Sequence, residues 1–255
     1  MEIETTTPVL ALRRFLLPKA GTDWWQCEDA IAVNFRANRF AIADGATEAF
    51  DSRRWARLLA HGWVRSEPPA TDHERFQEWL AAVGERFHRR WSRRLLPWYA
   101  EEKARAGSFA AFLGLQFNFD EGSLNWKALA LGDSCLIHLR QDAICAALPL
   151  ADSVAFCNNP TLAPSLGRLQ GSAIGHLIIE SGRAERGDVF LLLSDAVACL
   201  YLSAFAQHDP LIMQLDRLLE SPNADELSCL FDELRGVGRC ANDDVAILRV
   251  TIGSE

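Results

Sequence analysis

The sequence predicts an α+β domain in which mostly antiparallel sheets are covered by helices. Three observations predict it. Short strand-like apolar runs recur along the chain. Helix-like stretches fall between them in two grouped blocks rather than one after each strand. The scale also fits: 255 residues, 49% hydrophobic and 24% charged, suffice for a substantial core. No low-complexity segment, internal repeat or linker divides the chain, so residues 1–255 are expected to form one domain.

Residues 9–16 (VLALRRFL) read as a strand. Residues 30–35 (AIAVNF) and 39–43 (RFAIA) are expected to pair as a hairpin around Ala37 and Asn38, with asparagine supplying the turn chemistry. Residues 51–65 follow as a helix that Asp51 or Ser52 would cap. Between 72 and 96, Phe76, Trp79, Leu80, Val83, Phe87, Trp91 and Leu95 recur at spacings of three and four, the mark of an amphipathic helix. Its outer face carries Arg86, Arg89, Arg90, Arg93 and Arg94, which we read as a solvated face in preference to a docking surface for an acidic partner. Strands resume at 109–119, 124–131 and 135–140, with a weaker one at 143–148. Residues 158–175, rich in Asn, Pro, Ser and Gly, read as a long exposed loop of the kind that often carries function. Strands at 176–181 and 188–193, helices at 197–207, 210–221 and 225–235, and a strand at 244–252 complete the chain.

The net charge of −8 argues against a nucleic-acid or anionic-membrane partner, since either demands clustered positive charge. It suits a protein that gathers carboxylates around cations. The seven cysteines, at 27, 135, 145, 157, 199, 229 and 240, are odd in number and form no CxxC pair. Several lie in apolar runs, which reads as reduced, buried thiols in a cytoplasmic protein. No Cys/His cluster has the spacing of a zinc site. The first residues are acids and threonines rather than a basic stretch followed by an apolar one, so they are not read as a signal peptide. No apolar run approaches the ~20 residues needed to span a bilayer.

The chemistry shows in acids placed at strand ends. Glu28 and Asp29 precede one predicted strand, and Asp44 with Gly45 ends the next. In an antiparallel hairpin those ends share an edge, which would make Glu28 and Asp44 near neighbours. Asp133 sits in the turn Gly132-Asp133-Ser134, Asp195 ends an apolar run, and Asp243 and Asp244 begin the last strand. Any one of them alone reads as a turn or cap residue. Together at one rim they would repel strongly, and divalent cations with oxygen ligands, Mg²⁺ or Mn²⁺, would supply the compensating charge. Gly45 would let its backbone carbonyl approach such a cation closely.

In this order the motifs resemble those of the metal-dependent protein phosphatases of the PP2C (PPM) family, over most of the chain. Glu28-Asp29 resembles the family's "ED", Asp44-Gly45 its "DG", and Gly107-Ser108 its "GST/GTT" strand entry. Gly132-Asp133-Ser134 resembles "GDS", Gly187 to Asp195 resembles "GD…LLxSDG", and Asp243-Asp244 resembles the terminal "DN/DD". The resemblance implies a four-layer α-β-β-α sandwich, with two mostly antiparallel sheets inside and helices outside. It implies a binuclear Mg²⁺ or Mn²⁺ centre at one edge, and a water bridging two metals that hydrolyses phosphoserine or phosphothreonine in proteins. Carried over by position, Asp44 would bridge both metals. Asp195 and Asp243 would complete one shell, Glu28 and the Gly45 carbonyl would serve the other, and Asp133 would hold a third metal. Alternation puts Asp243 and Asp244 on opposite faces without choosing between them; the resemblance chooses Asp243.

The chain also departs from that pattern. Where many members place a phosphate-clamping arginine, four residues before the "ED" glutamate, it has Trp24, which cannot make a bidentate phosphate contact. Arg13, Arg14, Lys19 and Arg53 are nearby substitutes among which the sequence does not decide. Ala196 stands for the glycine of "SDG", and Ala46-Thr47-Glu48 follows "DG" where relatives carry histidine or glycines. The expected function is phosphoprotein Ser/Thr phosphatase. Its rivals are a non-catalytic module binding a phosphoprotein or regulatory partner through Trp24 and the arginine-rich helix, and a phosphatase for small phosphate esters.

Overall fold

A computed structural model describes residues 9–65, 72–91, 97–120, 122–156, 159–167, 169, 171–220 and 223–253. In chain order the elements are β1 (Val9–Leu17), β2 (Ala30–Asn34), β3 (Arg39–Gly45), α1 (Ser52–Arg65), α2 (His73–Trp91) and α3 (Trp98–Ala106). Then come β4 (Phe109–Asp120), β5 (Ser123–Leu131), β6 (Cys135–Arg140), β7 (Ala143–Leu148), β8 (Ala163–Pro164), β9 (Ile178–Ala184) and β10 (Val189–Leu193). The last are α4 (Asp195–Ala206), α5 (Leu211–Glu220), α6 (Ala224–Gly236) and β11 (Val245–Gly253). One sheet runs β1-β11-β10-β6-β7 and the other β2-β3-β4-β5-β9, with β8 added beside β4. Every pairing among the described strands is antiparallel.

Alternation along the strands builds four layers. Phe40 and Ile42 of β3, Leu113, Leu115 and Phe117 of β4, and Phe190 and Leu192 of β10 face inward and fill the space between the sheets. The opposite residues of β2 and β3 are small: Ala30, Ala32, Ala41 and Ala43. Small strand residues let α1 approach closely, and its Trp55, Leu59 and Trp63 supply the bulk, backed by Phe76, Leu80 and Phe87 of α2. On the far side, Leu191, Leu193, Val245 and Ile247 meet α4, α5 and α6 through Tyr201, Leu215 and Phe231. The α-β-β-α sandwich expected from the motifs is the architecture found.

Several elements differ from expectation. Asp44 and Gly45 lie inside β3 rather than after it, because they continue the pairing with Ala111 and Ala110. The stretch 98–106 is a helix, flanked by Pro97 and by Gly107 at φ 84°, which apolar periodicity alone does not reveal. The 158–175 segment is less irregular than expected, holding β8 and a 3-10 turn at Gly171–His176. The helix expected from 197 begins two residues earlier, with Asp195 as the first residue of α4. Among the described cysteines all are free, but Cys145 and Cys229 are exposed rather than buried. Arg93, Arg94, Leu95 and Cys157 lie outside the described residues. No helix of the described residues is long and apolar enough to cross a membrane.

Candidate metal centre

The β2–β3 register pairs Ala30 with Ala43, and continuing it by one residue sets Asp29, not Glu28, opposite Asp44. Both aspartates then share the face of Ile31 and Ile42, which looks between the sheets. Glu28 shares the other face with Ala30 and Ala32, under α1. There it is fully engaged. The Ser52 hydroxyl donates to its Oε1, the Thr47 hydroxyl donates to Oε2 at 2.7 Å, and the Lys19 ammonium stands 3.5 Å from Oε2. The expected Glu28–Asp44 proximity is therefore replaced by Asp29–Asp44, because a strand's period of two sends adjacent residues to opposite faces.

Three other elements deliver acids to the same end of the sandwich. Asp133 lies in the turn between β5 and β6, where Gly132 adopts φ 109° and a Cβ would sit 2.5 Å from the Ala111 Cβ; only glycine fits. Asp195 enters at the start of α4, where its Oδ1 accepts the Ala196 N–H at 2.6 Å. Asp243 enters just before β11, and its Oδ1 accepts the Asp244 N–H at 2.8 Å. Burial and the fields of Asp29, Asp195, Asp133 and Asp243 raise the Asp44 pKa well above the usual carboxylate range. Burial, Asp244 and Asp195 do the same to Asp29. Asp195 is raised by burial and Asp243, and Asp133 is pushed up to about 7 by burial, Asp195 and Asp243. Each of these four acids is raised by at least two others of the group or by burial with one of them. They form one cluster.

Asp244 has a different task. Its Oδ1 accepts the Lys19 N–H at 2.8 Å and its Oδ2 the Glu28 N–H at 2.7 Å, so it ties the β1–β2 loop to the start of β11. Asn242 adds a second tie by accepting the Ala20 N–H at 2.8 Å. Arg235 of α6 donates to the Asp243 carbonyl at 2.6 Å and so holds the turn that carries Asp243. Lys19, fixed by these ties, feels the carboxylates of Glu28, Asp243 and Asp244, which outweigh burial and raise its pKa. Trp24 points its ring to solvent, 60% exposed. Of the nearby bases, Lys19 is at the acidic rim, and Arg14 is exposed on the face of β1 that it shares with Leu10 and Leu12. Sequence reasoning missed Asp29 as a member of the cluster; the signal was the alternation already used for Asp243 and Asp244.

Among the described residues, no group of three or more His, Cys, Asp or Glu side chains stands close enough, as placed, to hold a metal ion. The donor set nevertheless suits a hard divalent cation. All the clustered side-chain donors are carboxylates, they repel one another, and the buried Asp29 carboxylate has only the nearby Ser194 hydroxyl to offset its charge. Gly45 sits where a Cβ would come within 2.8 Å of the Ser52 backbone, so the start of α1 is packed directly on the acid-bearing strand. Two clefts flank the cluster. One, of about 330 Å³, is lined by Asp133, Leu150, Asn159, Thr161 and His176. The other, of about 290 Å³, meets the cluster at Asp29.

No family model matches the chain, and no curated protein matches it in sequence. Its structure is similar to solved structures over nearly its whole length. PppA, described as a key regulatory component of T6SS in Pseudomonas aeruginosa, aligns at 20% identity and TM-score 0.61, covering 97% of this chain and 99% of that one. The catalytic domain of the serine/threonine protein phosphatase PstP, in complex with two manganese ions, aligns at 16% identity and TM-score 0.56, covering 96% and 100%. A bacterial serine phosphatase aligns at 12% identity and TM-score 0.62, covering 97% and 99%. The fold is that of the PP2C-type phosphatases.

Proposed function

We propose that the chain is a metal-dependent phosphoprotein phosphatase acting on phosphoserine and phosphothreonine, with residues 1–255 forming one catalytic domain that works in the cytoplasm. The observation that carries this reading is the convergence of Asp29, Asp44, Asp133, Asp195 and Asp243 at one end of a PP2C-like sandwich. Asp44, Asp195 and Asp243, with Asp29 and the Gly45 carbonyl, would hold Mg²⁺ or Mn²⁺, and Asp133 would hold a further ion. When bound, such cations offset the carboxylates' charge, lower the pKa of a ligated water and draw charge from a phosphoryl group.

The chain's own residues do the rest. Asp244, Asn242 and Arg235 hold the loops that carry Lys19 and Asp243. Ser52, Thr47 and Lys19 hold the Glu28 carboxylate under α1, beside the cluster rather than inside it. Lys19 brings an ammonium to the rim, where it can meet a phosphate oxygen and serve in place of the arginine absent at Trp24.

The test is Mn²⁺-dependent hydrolysis of a phosphothreonine peptide by wild type and Asp44→Asn, with melting temperature read with and without Mn²⁺. We expect hydrolysis and a Mn²⁺-induced rise in melting temperature in the wild type, both absent in a folded variant. Turnover by Asp44→Asn at the wild-type rate would overturn the proposal. A second reading, a module that binds a phosphoprotein or regulatory partner without turnover, draws on the engagement of Glu28 by Ser52, Thr47 and Lys19. Metal-induced stabilisation without hydrolysis of any phosphopeptide would favour it.

A further inference from the structure

The cleft at Asp29 is cationic, although the chain as a whole is acidic. It runs along the seam where β1 and β2, each the edge strand of its own sheet, come side by side. Arg14 of β1 and Arg57 and His61 of α1 line it, with Trp24 and Ile31 supplying apolar surface and Asp29 at the end shared with the acid cluster. Arg14 and Arg57 are exposed, and neither forms an ion pair with any described residue. The whole of α1, SRRWARLLAHGWVR, carries four arginines and no acid. His61 lies in the same positive field: burial, Arg65 and Arg57 lower its pKa, leaving a neutral ring able to donate a hydrogen bond. Trp24 and Trp25, 60% and 64% exposed, stand on the loop between β1 and β2.

A net charge of −8 makes this patch selective, because it is a local attraction within a repulsive surround. Guanidinium groups pair with carboxylates through two parallel hydrogen bonds, and an exposed indole offers a rigid flat contact at little entropic cost. A groove between two edge strands matches an extended backbone. Because the buried Asp29 borders both cleft and cluster, a chain lying in the groove ends beside the acids. We propose that this groove docks an acidic, extended segment flanking the phosphorylated residue of a protein substrate, and so makes the enzyme select phosphosites in acidic surroundings. The proposal rests on the phosphatase reading and names the substrate class of that site.

The experiment compares two phosphothreonine peptides of equal length, one with Glu and Asp around the phosphothreonine and one with Ser and Ala, at fixed Mn²⁺ and low salt. Wild-type hydrolysis of para-nitrophenyl phosphate is followed in parallel. We expect KM for the acidic peptide at least tenfold below that for the neutral one. In Arg57→Glu, alone and with Arg14→Glu, that ratio falls to near one. Equal KM values in the wild type, or a ratio untouched by the variants, would overturn the groove. If the wild type hydrolyses neither peptide nor para-nitrophenyl phosphate, the phosphatase reading fails instead. Fluorescence anisotropy of the labelled acidic phosphopeptide then decides the groove: binding weakened tenfold by Arg57→Glu supports it, and equal binding overturns it. Tighter binding of a single-stranded RNA of matched charge than of the peptide would also overturn the assignment.

Discussion

Glu28 and Asp29 are adjacent in the chain and meet opposite surroundings. Glu28 has three donors around it, whereas Asp29 is buried among like charges with only the Ser194 hydroxyl to oppose them. A buried carboxylate without an opposite charge is costly, and a divalent cation removes that cost. Titration calorimetry with Mn²⁺ should therefore show Asp29→Asn weakening metal binding at least tenfold, and Glu28→Gln by much less. The reverse order would return Glu28 to the role its motif implies. Asp133 makes a pH prediction. Its folded pKa is about 7, while an unfolded aspartate titrates near 3.9, so in metal-free protein the native state holds its proton more tightly. The stability this proton confers is complete below the unfolded pKa and is lost as pH rises through the folded one. With chelator present, the wild-type melting temperature should fall between pH 5 and 8 more steeply than that of Asp133→Asn. Parallel curves would show that Asp133 is not linked to folding.

At the scale of elements, the centre depends on how closely α1 sits on β3. A Cβ on Gly45 would press to 2.8 Å from the Ser52 backbone, and that residue both starts α1 and donates to Glu28. Gly45→Ala should cost about 1–3 kcal/mol in urea unfolding, an overpacking penalty. It should also weaken metal binding, since the strand end that carries Asp44 must shift. The two sheets are held by a different contact. Phe190 of β10 packs edge-on against Phe117 of β4 at 5.0 Å between ring centroids and stacks on His138 at 4.2 Å. Phe190→Ala should cost about 3–5 kcal/mol while leaving the acids in place.

Across the whole molecule, the two ends of the sandwich handle charge in contrasting ways. β10 is preceded by Asp188 and followed by Ser194 and Asp195. Asp188 is fully buried and fully paired: Arg140 donates to both its oxygens at 2.8 Å, the His138 ring lies 2.8 Å from Oδ2, and the Glu185 N–H donates to the same oxygen at 2.8 Å. Burial opposes ionisation there, but Arg140 and the other donors prevail and lower the pKa. Asp188→Ala should cost roughly 3 kcal/mol, as expected when a buried ion pair loses one member. It should leave Mn²⁺ affinity unchanged, because the acids proposed to hold metal lie at the opposite end. A large loss of Mn²⁺ affinity would show that the two ends are coupled through β10.

The sequence by itself determined the strand runs, both grouped helical blocks and the acids Asp44, Asp133, Asp195 and Asp243, because local alternation and motif order are properties of the chain. It was silent on α3, whose exposed outer residues carry little apolar periodicity. It also placed Glu28 rather than Asp29 beside Asp44. Pairing register decided that point: a carboxylate's neighbours depend on which face of which sheet it occupies, and a shift of one residue reverses the face. The cationic groove was equally hidden in the sequence. Arg14, Arg57 and His61 are far apart along the chain, and they meet because two sheets stack with β1 and β2 at the same side and α1 crosses beside them. Charge patterns are legible in a sequence when they are local. Sites assembled from distant residues are decided by tertiary structure, since sheet register and helix packing set which side chains share a surface.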